Sequence, residues 1–267
     1  MIIKNIHSTV LQIQIPAIGY GDRFLVRDIS FELAPGALVL LAGPNGTGKT
    51  TLLKALAEGG KGAIGVETSF RPAGGARLWE GRRSLPDLRF SAPFPPSARI
   101  ILIPTNIPKV KGFTVEGFIE TGCYQESDWR GRISAEAAGR MEQALELLGI
   151  QAFRKRDIST LSDGEFQKAC LAVGLTRQAD VLLLDEPTAH LDVENRIEVL
   201  RTLRDVAQKT GMAILFSSHD LHDALQVADR VFALTRDGRF IASSQANRSD
   251  VLREAFPTLP SETGTAI

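Results

Sequence analysis

Alternation of apolar and polar positions near the start of the chain predicts two β-strands, each with one buried face. The alternation covers residues 10–15 and 29–33, and a period of two places successive side chains on opposite faces of a sheet. Residues 37–42 are apolar throughout, which indicates a central strand covered on both faces. Further buried strands are predicted where short apolar runs recur, at residues 99–103, 182–184, 212–216 and 231–234.

Segments with helical periodicity lie between these strands. Ser134 is a predicted N-cap, and the apolar spacing that follows ends at Gly149, a residue that commonly closes a helix. Other helices are predicted over residues 49–58, 193–209 and 220–228. Strands that alternate with helices favour an α/β fold with a mostly parallel sheet.

The chain is predicted to form a single domain over residues 1–247. Its core lobe would comprise about 1–106 and 158–247, with a helical subdomain inserted at about 107–157. Residues 59–99 are rich in turn-forming Gly and Pro, and their arginines suit a solvated loop better than an interaction patch. Residues 248–267 are predicted to form a polar tail with little order at its end.

Composition narrows the class of protein. Of 267 residues, 43% are apolar and 23% charged, and Lys plus Arg equals Asp plus Glu at 31 each. The bulk charge therefore gives no indication of a nucleic-acid partner. Cys123 and Cys170 lack metal-site spacing and are predicted to be reduced thiols in the interior. No signal peptide is evident, and no apolar run approaches the roughly 20 residues that span a bilayer, so a membrane role would require a partner.

Residues 43–50 read Gly-Pro-Asn-Gly-Thr-Gly-Lys-Thr, a complete phosphate-loop pattern between a predicted strand and a predicted helix. Glycines let backbone N–H groups turn toward phosphate, and the helix N-terminus adds a favourable partial charge. Lys49 can reach the β- and γ-phosphates, and Thr50 can offer its hydroxyl to Mg²⁺. A nucleoside triphosphate site is therefore predicted at Gly43, Pro44, Asn45, Gly46, Thr47, Gly48, Lys49 and Thr50.

Polar residues also follow two other predicted strands. Asp185 ends an apolar run, where a carboxylate can hold Mg²⁺, and Glu186 comes next, placed to orient or deprotonate an attacking water. His219 follows the strand at 212–216, where a third side chain can approach the γ-phosphate. Alone, each residue could be a cap or a structural side chain. Beside a phosphate loop, they predict catalysis by Lys49, Glu186 and His219.

Residues 161–165, Leu-Ser-Asp-Gly-Glu, support two compatible interpretations. Ser162 and Glu165 have the spacing of a capping box, which predicts the start of a helix. A capped helix N-terminus with Ser162 and Gly164 exposed is also an anion site, suited to a γ-phosphate that a second subunit presents.

These segments together resemble the ATP-binding-cassette (ABC) ATPase family over about residues 20–238. The similarity rests on five motifs. Residues 43–50 resemble the Walker A motif, 161–165 the signature sequence, 181–186 the Walker B motif and 189–192 the D-loop, and His219 resembles the switch histidine. The resemblance implies a P-loop NTPase cassette with a mostly parallel core sheet, an antiparallel N-terminal β portion and an inserted helical subdomain. It extends the nucleotide contacts to Thr51 and to Tyr20, which would stack on adenine unless it is a core tyrosine.

The resemblance also implies a mechanism and partners. The ligands would be ATP and Mg²⁺, and two cassettes would close head to tail, with each ATP between one Walker A motif and the opposite signature. Hydrolysis would drive integral membrane permease subunits, served indirectly by a substrate-binding protein, with the chain peripheral on the cytoplasmic face of the cell membrane. No nucleic acid is expected.

Two departures from the family pattern stand out. Asp163 occupies a position where the signature usually has glycine, and an acid there could weaken nucleotide-bound dimers by charge repulsion. After the strand at 99–103 the family normally has a glutamine that contacts Mg²⁺ and links the cassette to its permease, whereas this chain has Thr105 and Asn106. We predict that one of them substitutes through its oxygen, which unchanged ATPase activity and transport in both alanine variants would refute.

Residues 113–124, 185–192 and 218–224 resemble importer ATPases of the iron-siderophore, haem and cobalamin type. The leading prediction is therefore an ATP hydrolase that powers import of an iron chelate, haem or cobalamin. An exporter remains an alternative because the catalytic motifs are shared. A soluble ABC protein acting on DNA or ribosomes is less favoured, since such chains usually carry two cassettes or a long coiled coil. A degenerate regulator is disfavoured by the intact Lys49, Asp185, Glu186 and His219.

Overall fold

The computed structural model of the chain describes residues 11–20, 23–59, 99–243 and 247–256. The strands there are Leu11–Tyr20 (β1), Arg23–Leu33 (β2), Leu38–Ala42 (β3), Ile100–Ile103 (β4), Val181–Leu184 (β5), Ala213–Ser217 (β6), Arg230–Leu234 (β7) and Phe240–Ala242 (β8). The α-helices are Lys49–Gly59 (α1), Val115–Glu120 (α2), Ala135–Leu148 (α3), Asp163–Thr176 (α4), Val193–Thr210 (α5), Leu221–Val227 (α6) and Arg248–Ala255 (α7). Short 3₁₀ helices occupy Thr121–Glu126, Gln151–Phe153 and Ile158–Thr160. Nearly all of the predicted irregular segment 59–99 lies outside the described residues.

A six-stranded sheet in the order β4-β5-β6-β3-β7-β8 forms the centre of the molecule. Its strands are parallel except β8, which runs antiparallel to β7. The strands β3, β4, β5 and β6 are buried along their whole length, because both faces of the sheet are covered. The prediction of a mostly parallel α/β sheet is confirmed.

Each face of this sheet packs on a different layer. Alternate residues of β3 divide between the layers: Val39 and Leu41 join a core with α1, β1 and β2, whereas Leu38 and Leu40 join a core with the remaining helices. Strands β1 and β2 form a separate antiparallel hairpin in which Ile13 lies opposite Phe31. This hairpin is the antiparallel β portion that the sequence predicted.

The helices on the second face form a continuous layer. Helix α3 begins at Ser134, whose hydroxyl accepts a hydrogen bond from the Ala137 N–H at 3.1 Å, and ends at Gly149 in the left-handed conformation, as predicted. Helix α4 contacts α2 and α3 on one side and β5 on the other, where Gly174 lies against Leu182. The helical layer therefore extends beyond the predicted insertion at 107–157, because α4 buries apolar residues toward both neighbours.

The predicted polar tail, residues 248–267, differs from the structure at its start. Residues Arg248–Ala255 form α7, which packs against β7 and buries Val251, Leu252 and Ala255. These three side chains share one helix face, so a short apolar stripe suffices to dock an otherwise polar segment. Residues 257–267 lie outside the described part of the chain.

Truncating the docked face of α7 is expected to destabilise the whole domain. Leu252 is 5% exposed, and Leu252→Ala should lower the free energy of unfolding by about 2–4 kcal/mol, as for other buried leucines. The neighbouring Arg253 only pairs with Asp250 at the surface, so Arg253→Ala is a matched control with little effect. Guanidinium unfolding midpoints measure both variants; equal midpoints would show that α7 is not part of the core.

Candidate functional site

The carboxyl ends of four adjacent parallel strands bring the predicted site residues to one edge of the sheet. The phosphate loop follows β3, Asp185 and Glu186 follow β5, and Thr105 follows β4. Ser217 ends β6, and His219 comes two residues later. In open α/β sheets this edge is where ligands bind. Residues separated by more than 100 positions in the sequence thus meet because parallel strands share one direction.

The phosphate loop has a backbone that only glycine adopts readily. Gly43, Gly46 and Gly48 have φ angles of 151°, 80° and 103°, in the range that disfavours other residues. A Cβ on Gly43 would also lie 2.7 Å from the Leu234 carbonyl oxygen. Thr47 closes the loop by donating its hydroxyl to the Pro44 carbonyl at 2.9 Å. This curved backbone ahead of α1 fits a bound triphosphate.

Lys49 is held inside this loop. Its side-chain amine donates to the carbonyl oxygens of Gly43 at 2.7 Å and Pro44 at 3.3 Å, and the residue is 7% exposed. Burial lowers the pKa of Lys49, and the negative charges of Glu186 and Asp185 oppose that shift. Within the described residues, no carboxylate lies within ion-pair distance of this amine. A buried cation of this kind favours an anionic ligand.

Asp185 accepts hydrogen bonds from two hydroxyl groups on different elements. Thr50, in the first turn of α1, donates to Asp185 Oδ2 at 2.8 Å, and Ser217 donates to Oδ1 at 2.9 Å. Asp185 itself is buried, with 7% exposure. Carboxylate and hydroxyl oxygens are the hard ligands that Mg²⁺ prefers, so the Thr50–Asp185 pair fits the predicted metal. Ser217 fixes the other carboxylate oxygen.

Glu186 has an unusual backbone conformation for its residue type. Its φ is 52°, which turns the chain sharply after β5 and costs free energy in a non-glycine residue. The Ser217 hydroxyl accepts the Glu186 N–H at 2.9 Å and so supports this turn. The Glu186 carboxylate then lies 2.5 Å from His219 Nε2. The two predicted catalytic side chains are therefore direct neighbours.

Thr105 and Asn106 flank the same carboxylates from β4. The Thr105 hydroxyl donates to the Asp185 carbonyl oxygen at 2.8 Å, so this residue is tied to the end of β5. Both Thr105 and Asn106 line a cavity of about 380 Å³ that Glu186, Asp163 and His190 also line. The two residues that stand where the family pattern has glutamine thus share this cavity with the predicted base.

The signature segment, residues 161–165, makes its hydrogen bonds around the start of α4. Ser162 caps α4 by accepting from the Glu165 N–H at 3.2 Å, while Glu165 accepts from the Ser162 N–H at 2.8 Å. This capping box confirms the predicted helix start. Across the described residues, no hydrogen bond links Ser162 or Gly164 to residues 43–50.

The prediction that Gly164 is exposed was wrong. Ser162 is exposed, but Gly164 is buried, because the Asn195 side chain of α5 covers it. A Cβ on Gly164 would lie 3.3 Å from Asn195 Oδ1. The absence of a side chain at Gly164 therefore admits α5 close to the N-terminus of α4.

Two predicted nucleotide contacts are less fully described. Thr51 is half-buried in the first turn of α1. Tyr20 is the last residue of β1, and its side chain lies outside the described part of the structure. The proposed stacking on adenine therefore stays a prediction.

Ser217 and Lys109 were missed by reasoning from the sequence. Ser217 ends the otherwise apolar strand β6 and Ser218 follows it, and these two hydroxyl residues are 0% and 3% exposed. Buried hydroxyls at the carboxyl end of a central strand could have indicated a site residue. Lys109 donates to Leu161 and Asp163, more than 50 positions away, and no local pattern indicated that contact.

Similarity to known proteins agrees with this geometry. The model of the ABC transporter family matches residues 26–189. The petrobactin import ATP-binding protein FpuC of Bacillus anthracis is 30% identical over 217 residues, which cover 81% of this chain and 75% of that protein. The iron(3+)-hydroxamate import ATP-binding protein FhuC of Bacillus subtilis is 29% identical over 246 residues, covering 90% and 84% of the two chains.

The fold is also that of a solved structure. The chain matches CbiO1 from Clostridium perfringens, part of the ABC transporter complex CbiONQ, with a TM-score of 0.68 and 20% identity. The match covers 92% of this chain and 91% of CbiO1. Among the described residues, none of the helices combines the length and apolar character needed to cross a membrane.

The phosphate loop, the paired acids after β5 and the matched family model define an ATP-driven class of protein. This chain belongs to the ABC transporter family, whose ATP-binding proteins bind and hydrolyse ATP.

Proposed function

We propose that this chain is the ATP-hydrolysing subunit of an importer for an iron chelate. The catalytic part of this proposal rests on the contact of Glu186 with His219. This contact lies at the same edge of the sheet as the Thr50–Asp185 pair and the phosphate loop. The cargo class follows from the relatives that are named for import of petrobactin and iron(3+)-hydroxamate. Haem and cobalamin are the other metal-containing cargoes that we consider.

The metal part of the proposal assigns Mg²⁺ to Thr50 and Asp185. Thr50 and Asp185 would hold Mg²⁺, which when bound would neutralise charge that develops in phosphoryl transfer. The Thr50 hydroxyl and Asp185 Oδ2 already lie 2.8 Å apart, and Ser217 keeps the Asp185 carboxylate oriented. Thr105 stays a prediction as a further oxygen ligand, supported by its bond to the Asp185 carbonyl.

The proton-transfer part of the proposal assigns the attacking water to Glu186. A carboxylate within hydrogen-bond reach of a water can orient it and take its proton. His219 Nε2, 2.5 Å from the Glu186 carboxylate, holds that carboxylate in place. Lys49 and the backbone N–H groups of residues 43–50 bind the phosphates.

The proposed ATP site is shared between two copies of the chain. Ser162 and the N-terminus of α4 have the hydroxyl, N–H groups and partial positive charge that an incoming γ-phosphate needs. Because Ser162 is exposed and its hydrogen bonds stay at the start of α4, we assign this segment to the ATP of a second copy. Gly164 acts indirectly, by admitting Asn195 beside the helix start.

The proposed partners place the chain at a membrane. Permease subunits would bind it on the cytoplasmic face, and a substrate-binding protein would deliver the cargo to them from the other side. Nucleic acid has no role in this proposal.

The test is isolation of the full-length, tagged chain from membranes, followed by reconstitution. We expect an integral permease to co-purify and the complex in proteoliposomes to take up a ferric hydroxamate when ATP is enclosed in the lumen, on the same side as the chain. The same complex carrying Glu186→Gln is the control and should not transport. Haem and cobalamin are tested in parallel.

Each other result has a defined meaning. Uptake of haem or cobalamin without uptake of the ferric hydroxamate would change the proposed cargo but would support the importer function. Movement of substrate in the opposite direction would show an exporter, and co-purification of ribosomes or DNA without a permease would contradict the transport function.

A further inference from the structure

Lys109 links the segment after β4 to the start of α4. Its amine donates to Asp163 Oδ1 at 2.6 Å and to the Leu161 carbonyl at 2.8 Å. The same amine lies 5.4 Å from the centre of the Phe166 ring. One lysine thus contacts three residues around the first turn of the helix that Ser162 caps.

The position of Asp163 makes this contact relevant to ATP. Asp163 is the first residue of α4, where a negative charge stabilises the helix itself. The same charge repels any phosphate that approaches the helix N-terminus. The side chain of Asp163 is 59% exposed, whereas that of Lys109 is 24% exposed, so the acid lies on the outer surface and the lysine lies behind it.

Lys109 also connects two parts of the proposed site. It lines the same cavity as Thr105, Asn106, Glu186 and Asp163. The segment that carries Thr105 is therefore tied by one side chain to the segment that carries Ser162.

We propose that Lys109 is a positioning residue that offsets the charge of Asp163, so that the N-terminus of α4 can accept the γ-phosphate held by a second copy. This inference rests on the proposed two-copy ATP site. It explains how a chain with an acid in this position keeps an anion-binding helix start. Lys109 itself touches neither the nucleotide nor the water.

ATP-dependent dimerisation in the Glu186→Gln background tests this role without turnover. Light scattering after gel filtration gives the MgATP concentration at half-maximal dimer. Lys109→Met keeps the aliphatic stem but leaves Asp163 uncompensated, so this concentration should rise about five- to tenfold, equivalent to about 1–1.4 kcal/mol. The increase should shrink as salt is added, because salt screens partly exposed charges.

Rescue separates charge compensation from packing. Asp163→Gly combined with Lys109→Met should restore the original MgATP concentration, and Lys109→Arg should change it little. Lys111→Met, which removes a nearby exposed lysine, is the matched control and should resemble the parent. Thermal melting checks that every variant is folded.

The parent protein tests the two-copy ATP site, and the Lys109 variants test the role of Lys109. If the Glu186→Gln parent forms no dimer with MgATP, the two-copy site fails. If the parent dimerises and Lys109→Met behaves like it, or if Asp163→Gly does not rescue a folded Lys109→Met protein, the role of Lys109 is refuted.

Discussion

Replacing Glu186 by glutamine is expected to lower the kcat for ATP hydrolysis by about 10²–10⁴-fold. Glutamine has the same shape but cannot accept the proton of the attacking water. Because the Glu186 carboxylate contacts His219 and, among the described residues, forms no hydrogen bond with the phosphate loop, nucleotide binding should survive. The variant should therefore accumulate with ATP bound.

The measurement combines phosphate release with nucleotide binding. Glu194→Gln is the matched control, since Glu194 is an exposed residue of α5 close to the same edge, and it should keep full activity. Hydrolysis at the parental rate in Glu186→Gln would exclude Glu186 as the base. Loss of ATP binding would instead assign it a role in holding the nucleotide.

Replacing Lys49 by methionine is expected to weaken ATP binding by about 100-fold and to abolish hydrolysis. Hydrogen bonds to charged groups contribute about 1.5–3 kcal/mol each, which corresponds to roughly one to two orders of magnitude in affinity. Methionine fills similar volume beneath the loop, and removing the cation also relieves its burial. Stability should therefore fall little, or rise, while affinity falls.

Lys54→Met is the matched control for this change because Lys54 lies in the same helix, away from the loop. Titration with a fluorescent ATP analogue reports affinity. The pKa of Lys49 is lowered by burial, so parental affinity should decline at alkaline pH as the amine loses its proton. The Lys49→Met protein should lack that decline, and a parental affinity in this variant would show that the amine does not bind phosphate.

The central sheet was predictable because its buried strands are short runs of almost entirely apolar residues. The position of the site at one edge of the sheet was also predictable. Asp185 and the phosphate loop come directly after such runs, and strands that share one direction bring their ends together. The capping box at Ser162 was equally local. In all these cases the chemical signal and its structural context are adjacent in the sequence.

The remaining features depend on contacts between distant segments. Gly164 is buried by Asn195, and α7 docks through three side chains in a polar stretch. The bond from Ser217 to Asp185 joins residues 32 positions apart. No periodicity encodes such pairs, because they arise only when separate elements pack.

The assignment of Ser162 to the ATP of a second copy has a kinetic consequence under the proposed function. Glu186 and His219, which would activate water, lie at the edge of the sheet in one copy. Ser162 and the N-terminus of α4, which would complete the phosphate site, belong to the other copy. An isolated subunit would hold ATP without consuming it, and dilute protein would hydrolyse ATP at a rate that rises with the square of its concentration. Subunits that have not formed a dimer would then not hydrolyse the cell's ATP.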